Sequence, residues 1–224
     1  MNRAKANLCL LLAGALWGIG FVAQSTAMDA IGPMLFIALR FFLATLVVLP
    51  FALLESRKAS TRLSMRDISG FLWIGLAMFA GMTAQQIGLL TTTVTNAGIL
   101  TGLYVVFVPF LVVVFLRRLP HPVVWPAALL AFVGIWLLSG GHALSLNSGD
   151  ALTILCAVFW AGQVLMIGVF GQRTGRPLTL SAVQFALCAV LALVAALLSE
   201  PILWTAIRDA LPEILYSGIF ASGV

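Results

Sequence analysis

The sequence predicts an all-α membrane protein, a polytopic bundle of transmembrane helices. Hydrophobic residues make up 62% of the 224-residue chain and charged residues only 8%, whereas soluble domains carry roughly 25% charged residues. The basic residues are also unevenly distributed, because ten of the twelve Lys and Arg residues lie in alternate gaps between long apolar runs. Because so few charged residues cannot cover a water-facing surface, we expect no separate soluble domain.

Seven apolar runs are each long enough to cross a bilayer, which requires about 20 residues. An eighth begins near Ile207 or Pro212 and continues to the end of the sequence. The first run stays apolar from about Ala6 to Ala23, longer than a signal-peptide core, so we interpret it as a membrane helix. The predicted complete spans cover residues 6–28, 33–54, 68–90, 95–116, 122–139, 151–171 and 178–199.

The basic residues of the gaps predict the orientation of the chain. Cytoplasmic loops carry an excess of Lys and Arg. A cytoplasmic N-terminus puts ten basic residues inside and only Arg208 outside, with Arg40 within a span. We therefore predict a multi-pass protein of the cytoplasmic (inner) membrane of a bacterium. The ten residues are Arg3, Lys5, Arg57, Lys58, Arg62, Arg66, Arg117, Arg118, Arg173 and Arg176.

Other classes of function find little support. We attribute the net charge of +5 to loops that face anionic lipid and the cytoplasm, not to nucleic-acid binding. Cys9, Cys156 and Cys188 lie within apolar runs and are interpreted as reduced packing residues. The sequence has no catalytic triad, phosphate-binding loop or metal-ligand cluster, so we predict no catalytic residues, no metal and no cofactor.

An internal repeat is indicated by three residue pairs at a nearly constant separation of 143 or 144 positions. The pairs are Trp17 with Trp160, Pro33 with Pro177, and Gly75 with Gly218. The unit holds five helices, so the second copy is inserted in the opposite orientation, as in many secondary carriers. We predict ten helices in two inverted five-helix repeats, of which about seven and a half are present in a C-terminally truncated chain.

The predicted domains follow from this repeat. The first five-helix repeat covers residues 1–139, and a Gly- and Ser-containing external linker covers 140–150. The partial second repeat covers 151–224 and contains helices six, seven and part of eight. All seven acidic residues lie in gaps or at span ends, which disfavours an intramembrane carboxylate relay. They are Asp29, Glu55, Asp67, Asp150, Glu200, Asp209 and Glu213.

Three segments resemble one known family. Trp17-Gly18, Arg40-Phe41 and the stretch from Thr92 to Pro109 (TTVTNAGILTGLYVVFVP) are similar to the EamA-like branch of the drug/metabolite transporter superfamily. The resemblance implies ten helices in two inverted halves, cytoplasmic termini, a central cavity, and export or exchange of small metabolites such as amino acids. Members often carry Gly-Glu-Arg between helices four and five, where this chain has Leu116-Arg-Arg-Leu-Pro120, so no role of that acidic residue is carried over.

We therefore predict a secondary-type transporter that works by alternating access. Its expected partners are the lipid bilayer and a small polar or amphipathic metabolite, and the sequence does not predict an oligomeric state. An integral-membrane enzyme is one alternative, which would need a nucleophile, an acid/base pair or a metal site near a membrane face. A non-transporting membrane subunit is the other, which an inverted duplication disfavours because it creates a pathway between the halves.

Arg40 is the one charged residue within a predicted span. It lies seven residues after Pro33, about 10 Å below the outer surface, and a charge at the bilayer centre costs about 2.5–3.5 kcal/mol on insertion scales. One interpretation is that Arg40 faces the cavity and binds a substrate carboxylate. The other is that it bonds to backbone carbonyls or extends toward the outer headgroups. Its repeat counterpart, Gln184, is neutral.

The remaining candidates are aromatic or uncharged polar residues within or at the ends of spans. Trp17 and Trp160 lie near the midplane, where cavity lining and helix packing are both possible roles. The polar residues either bond between helices or form a polar path, and Thr91 to Asn96 favours a cap of helix four. Pro109 should kink helix four and is the candidate hinge. The candidate substrate-binding residues are Trp17, Gln24, Arg40, Gln85, Asn96, Tyr104, Trp160, Gln163 and Gln184.

Overall fold

The computed structural model describes residues 3–59, 62–138 and 147–223. Within these ranges every regular element is a helix. Two π-helical segments, Val112–Leu116 and Tyr216–Gly223, continue the helices that precede them. The α-helices are α1 Arg3–Ala27, α2 Pro33–Lys58, α3 Met65–Gly88, α4 Val94–Thr101, α5 Tyr104–Leu111, α6 Val124–Leu138, α7 Ser148–Thr174, α8 Pro177–Ser199, α9 Trp204–Asp209 and α10 Leu211–Leu215. The predicted polytopic helical bundle is confirmed.

Six helices of the described chain are long and apolar enough to cross a membrane. The fourth of these combines α4, α5 and the first π-helical segment and covers Val94–Leu116. The sequence predicted seven complete spans, and the difference is α6. With 15 residues it is about 22 Å long, shorter than the roughly 30 Å hydrocarbon core. Residues 139–146, which follow α6 and include most of the predicted linker, lie outside the described residues.

The core of the bundle is built around α2 and α8. Large side chains of α2, including Phe36 and Ile37, are fully buried in the same hydrophobic cluster as Ala189, Ala192 and Ala196 of α8. Small residues allow two helix backbones to approach closely when lipid offers no hydrophobic driving force. The two helices therefore pack by the fit of large side chains against a smooth alanine face.

Two glutamates tie the ends of this helix pair together. Glu200, just after α8, accepts hydrogen bonds from the backbone N–H groups of Met34 and Leu35 at 2.7 and 2.8 Å. Glu55, near the end of α2, accepts from the N–H groups of Leu178 and Thr179 at 3.2 and 2.7 Å. A helix start has N–H groups without an internal partner and a positive dipole end, both of which a carboxylate satisfies. Each helix thus begins beside the end of the other, so α2 and α8 are antiparallel.

A second antiparallel pair consists of α3 and α7. Ser64 and Asp67 form a capping box at the start of α3, and Asp67 Oδ1 lies 3.1 Å from Nε of Arg173 near the end of α7. Asn147 and Asp150 form the equivalent box at the start of α7. This second box contacts the residues that follow α3. Asn147 Nδ2 donates to the carbonyl of Thr91 at 2.9 Å, and the Thr92 hydroxyl donates to the Asp150 carboxylate. The box also places the start of α7 at Ser148, three residues before the predicted span.

The last helical segment packs on α2 in the way that α3 packs on α8. A methyl group added to Gly218 would lie 2.9 Å from the carbonyl oxygen of Arg40 and 2.8 Å from Cβ of Leu43. A methyl group added to Gly75 would lie 3.2 Å from Cα of Gln184 and 2.9 Å from Leu187 Cδ2. These contacts join residues that correspond to one another in the predicted repeat. The Tyr216 hydroxyl also donates to the Leu16 carbonyl at 3.0 Å, which connects this segment to α1.

We expect Glu200→Ala to lower the free energy of unfolding by about 1–3 kcal/mol, because two N–H groups at the start of α2 lose their acceptor. Gly32→Ala should act through the same contact. Its φ of −68° suits any residue, but the added methyl group would lie 2.7 Å from Oε1 of Glu200. Denaturation in detergent micelles, followed by circular dichroism, measures both changes.

The matched control is Asp209→Asn, which alters an exposed carboxylate on α9 and should leave the unfolding transition unchanged. A Glu200→Ala protein that unfolds together with the Asp209→Asn protein would show that the carboxylate does not stabilise the helix pair.

Candidate functional site

An open cavity of about 470 Å³ lies between helices of the bundle. Side chains of α1, α2, α3, α5, α7, α8 and the segment Tyr216–Gly223 line it. Six of the nine predicted substrate-binding residues meet there: Trp17, Arg40, Tyr104, Trp160, Gln163 and Gln184. The cavity therefore combines one charged group, two amides and several aromatic rings, a composition typical of small-molecule sites.

Arg40 is held on α2 with only 3% of its surface exposed. Its Nε donates to the Ser222 hydroxyl oxygen at 2.8 Å. Its guanidinium carbon lies 5.1 Å from the centre of the Phe41 ring, within reach of a cation–π contact. Nη1 is buried and has no hydrogen-bonding partner among the described residues. Arg40 therefore neither reaches the outer headgroups nor satisfies all of its donors inside the protein.

Gln163 and Gln184 bridge α7 and α8. Nε2 of Gln163 donates to Oε1 of Gln184 at 2.9 Å, and both side chains are buried. Oε1 of Gln163 has no partner among the described residues. A buried amide with an unsatisfied oxygen can accept a hydrogen bond from a ligand donor, so this pair adds an acceptor to the cavity.

The aromatic residues form a wall around the indole of Trp17. Its ring centre lies 5.6 Å from that of Trp160 and 6.3 Å from that of Tyr104, both in edge-to-face geometry. On another part of the lining, Phe41 and Phe185 stack at 5.6 Å. Trp160 also packs on α3, because Gly81 leaves room for its indole. The wall offers flat apolar surfaces to a ligand.

Three predicted site residues do not line this cavity. Gln85 donates to the Thr101 hydroxyl at 3.1 Å, which joins α3 to α4. Gln24 donates to the carbonyl of Gly20 at 3.1 Å within α1. Asn96 lies in the first turn of α4, where Thr93 accepts from its backbone N–H and caps the helix. The structure therefore places these three away from the group around Arg40.

The fourth span has a tightened turn upstream of its proline. Gly102 and Leu103, between α4 and α5, keep right-handed helical dihedrals, but the N–H groups of Leu103 and Val105 donate to carbonyls three residues back instead of four. Pro109 is buried within α5 and precedes the π-helical segment Val112–Leu116. Since proline removes one backbone donor and crowds the preceding turn, a departure from α-helical bonding next to it is expected. The span therefore has two irregular points, and the hinge at Pro109 stays a prediction.

A second cavity of about 390 Å³ lies between α1 and α4. Its lining contains Gly14 and Gly18 of α1, Gly98 of α4 and Gly102, which follows α4. Gly14 and Trp17 border both cavities, so the two spaces are neighbours along α1.

Several residues of the site were not predicted. Ser222 accepts the Arg40 hydrogen bond, yet a lone serine near the end of an apolar run gave no signal in the sequence. Phe41 and Phe185 matched in the repeat, and that match was the available signal for them. Among the described residues there is no group of three His, Cys, Asp or Glu side chains that could hold a metal ion.

The chain is similar to known membrane transporters over most of its length. The model of the EamA-like transporter family matches residues 4–140. An uncharacterized transporter of Archaeoglobus fulgidus is 35% identical over 181 residues, which are 81% of this chain and 54% of that protein. The chain thus spans about half the length of this curated relative. A solved crystal structure of a protein aligns with all of this chain and 77% of its own, with a TM-score of 0.72 and 21% identity, which indicates a shared fold.

We expect Gln163→Leu and Gln184→Leu each to destabilise the protein by about 1–3 kcal/mol, because each leaves the other amide buried without its partner. The double variant should cost less than the sum of the two, by about 1 kcal/mol, since no orphaned amide of the pair remains. Unfolding of the four proteins in detergent micelles provides the cycle, and strictly additive effects would show that the two amides do not interact.

Proposed function

Because the chain belongs to the EamA-like transporter family, we propose that it is a secondary transporter that moves a small polar or amphipathic metabolite by alternating access. The family and the transporter relative point to a membrane transporter rather than an enzyme. The six long apolar helices agree with a multi-pass membrane protein. The proposal goes further in naming the mechanism, the class of solute and the cytoplasmic membrane of a bacterium.

The observation that carries this proposal is the cavity around Arg40. It lies among helices that are long enough to cross a membrane, and it contains polar groups that hydrocarbon cannot satisfy. A volume of about 470 Å³ falls in the range of sites for small molecules, about 300–1,000 Å³. The mixture of amides, a guanidinium and aromatic rings suits a metabolite with both polar and apolar parts, such as an amino acid, that is exported or exchanged.

The proposed architecture has ten helices in two inverted five-helix repeats, residues 1–139 and 151–224 with a linker at 140–150. The antiparallel α2–α8 pair and its reciprocal glutamate contacts support it, as an inversion axis would relate the two helices. The matched contacts of Gly75 and Gly218 support it further. The solute would move along the seam between the two repeats.

The fourth span is the proposed moving element. Its tightened turn at Gly102–Leu103 and its proline at Pro109 depart from regular α-helical bonding at two points. Tyr104 lies between these points and lines the cavity. A bend there would move the Tyr104 ring relative to Trp17 and change the access to the cavity.

Flux through proteoliposomes tests the transport function. We expect saturable counterflow for at least one member of a panel of labelled metabolites that includes amino acids and organic acids. Trp17→Ala and Trp160→Ala should each reduce this flux by about tenfold, since an aromatic contact contributes up to about 1.5 kcal/mol. Trp73→Ala is the control, because Trp73 is 63% exposed on α3 and does not line the cavity.

Two outcomes would contradict the transport proposal. An absence of flux for the whole panel would favour an enzyme or a non-transporting subunit. Equal flux in the three tryptophan variants would show that the solute does not pass through this cavity.

Labelling of single cysteines tests the topology. Lys58→Cys and Leu203→Cys place thiols at the last residue of α2 and four residues after α8, at opposite ends of the antiparallel pair. With Cys9 replaced by Ser, the two remaining native cysteines, Cys156 and Cys188, are fully buried. A membrane-impermeant maleimide should label Leu203→Cys on intact cells, and Lys58→Cys only after permeabilisation. Reaction of both from one side would exclude the inverted arrangement, and the reverse pattern would place the N-terminus outside.

A further inference from the structure

Arg40 is a buried cation without a counter-charge in the described chain. Its side chain is 3% exposed, and no carboxylate of residues 3–59, 62–138 and 147–223 lies within ion-pairing distance of its guanidinium. Buried charges in proteins are normally paired, because the loss of hydration is costly. Arg40 also lines the central cavity. An anion that enters this cavity would supply the missing charge.

The surroundings of Arg40 hold its guanidinium in place. Ser222 accepts from Nε at 2.8 Å, and the Phe41 ring lies 5.1 Å from the guanidinium carbon. These contacts leave Nη1 as a buried donor without a partner. The Ser222 hydroxyl already accepts from Arg40, so its own proton can be donated elsewhere. A carboxylate in the cavity beside Arg40 and Ser222, which both line it, would accept from the guanidinium and from the Ser222 hydroxyl.

The rest of the cavity would receive an apolar group. Trp17 lies within edge-to-face distance of both Trp160 and Tyr104, and Phe185 stacks on Phe41 next to the guanidinium. Aromatic rings and branched alkyl groups pack well against such surfaces. The site thus has a cationic end at Arg40 and an aromatic end at Trp17.

We propose that Arg40 binds the carboxylate of an amphipathic substrate whose apolar group lies against Trp17 and Trp160. The inference rests on the proposed transport function, which it makes more specific. Arg40 is the charged side chain in the described lining of the cavity, so the site selects an anionic group over a cationic one. A free organic acid and an amino acid share this carboxylate chemistry.

Binding to the purified chain in lipid nanodiscs tests the proposal without requiring flux. Four probes share an aromatic ring and differ in charge: phenylacetate, phenylalanine, phenethylamine and benzyl alcohol. Isothermal titration should show that the carboxylates bind more tightly than the amine and the alcohol. Arg40→Gln should weaken the binding of the carboxylates at least about tenfold, the loss expected for a charge-assisted hydrogen bond. Arg208→Gln, which removes an exposed arginine of α9, should leave the affinity unchanged.

Arg40→Lys keeps the charge and should retain the preference for carboxylates with a smaller loss of affinity, because lysine lacks the planar fork. If Arg40→Gln does not fold, the four probes on the unchanged protein and on Arg40→Lys decide the question. Tighter binding of phenylacetate identifies a free organic acid, and tighter binding of phenylalanine identifies an amino acid; both support the anchor.

The proposal is overturned if neither carboxylate binds, if the amine or the alcohol binds as tightly as the carboxylates, or if Arg40→Gln and Arg208→Gln bind equally well. Flux in proteoliposomes together with any of these results would leave the transporter intact and remove only the role of Arg40.

Discussion

The arrangement of this bundle depends on the satisfaction of helix ends inside a membrane protein. Glu200 and Glu55 each accept two backbone N–H groups at the start of the opposing helix of the α2–α8 pair. Unpaired backbone groups are expensive where water is scarce. The two carboxylates therefore stabilise the antiparallel α2–α8 pair at both of its ends, and capping boxes at the starts of α3 and α7 satisfy the helix ends of the second pair.

The α2–α8 pair also lines part of the cavity. The alanine face of α8 allows close packing against Phe36 and Ile37 of α2, whereas Arg40 and Gln184 are too polar for such a seam. The side chains of these two residues instead line the cavity, which the indoles of Trp17 and Trp160 also border. The same helices thus provide both a rigid core and a polar cavity.

The sequence predicted part of the candidate site because it showed which residues are costly in hydrocarbon. Arg40 was evident as the one charge within a span, and Trp17 and Trp160 as matched aromatic residues of a repeat. It did not separate the amides. Gln85 joins α3 to α4, whereas Gln163 meets Gln184 at the cavity, yet both are glutamines within apolar helices. Which of them faces the cavity depends on how each helix is rotated about its own axis. A helix that is apolar on nearly all sides gives little sequence signal for that rotation.

By itself the sequence determined that this protein is a helical membrane bundle, because long apolar runs and scarce charge allow no other stable state. It also located most helix ends, since prolines, capping residues and charges mark them. The tertiary structure alone decided that Glu55 and Glu200 reach across to opposing helices and that Ser222 meets Arg40. These features depend on contacts between residues far apart in the chain, such as 182 positions for Arg40 and Ser222, and no local pattern encodes such a distance.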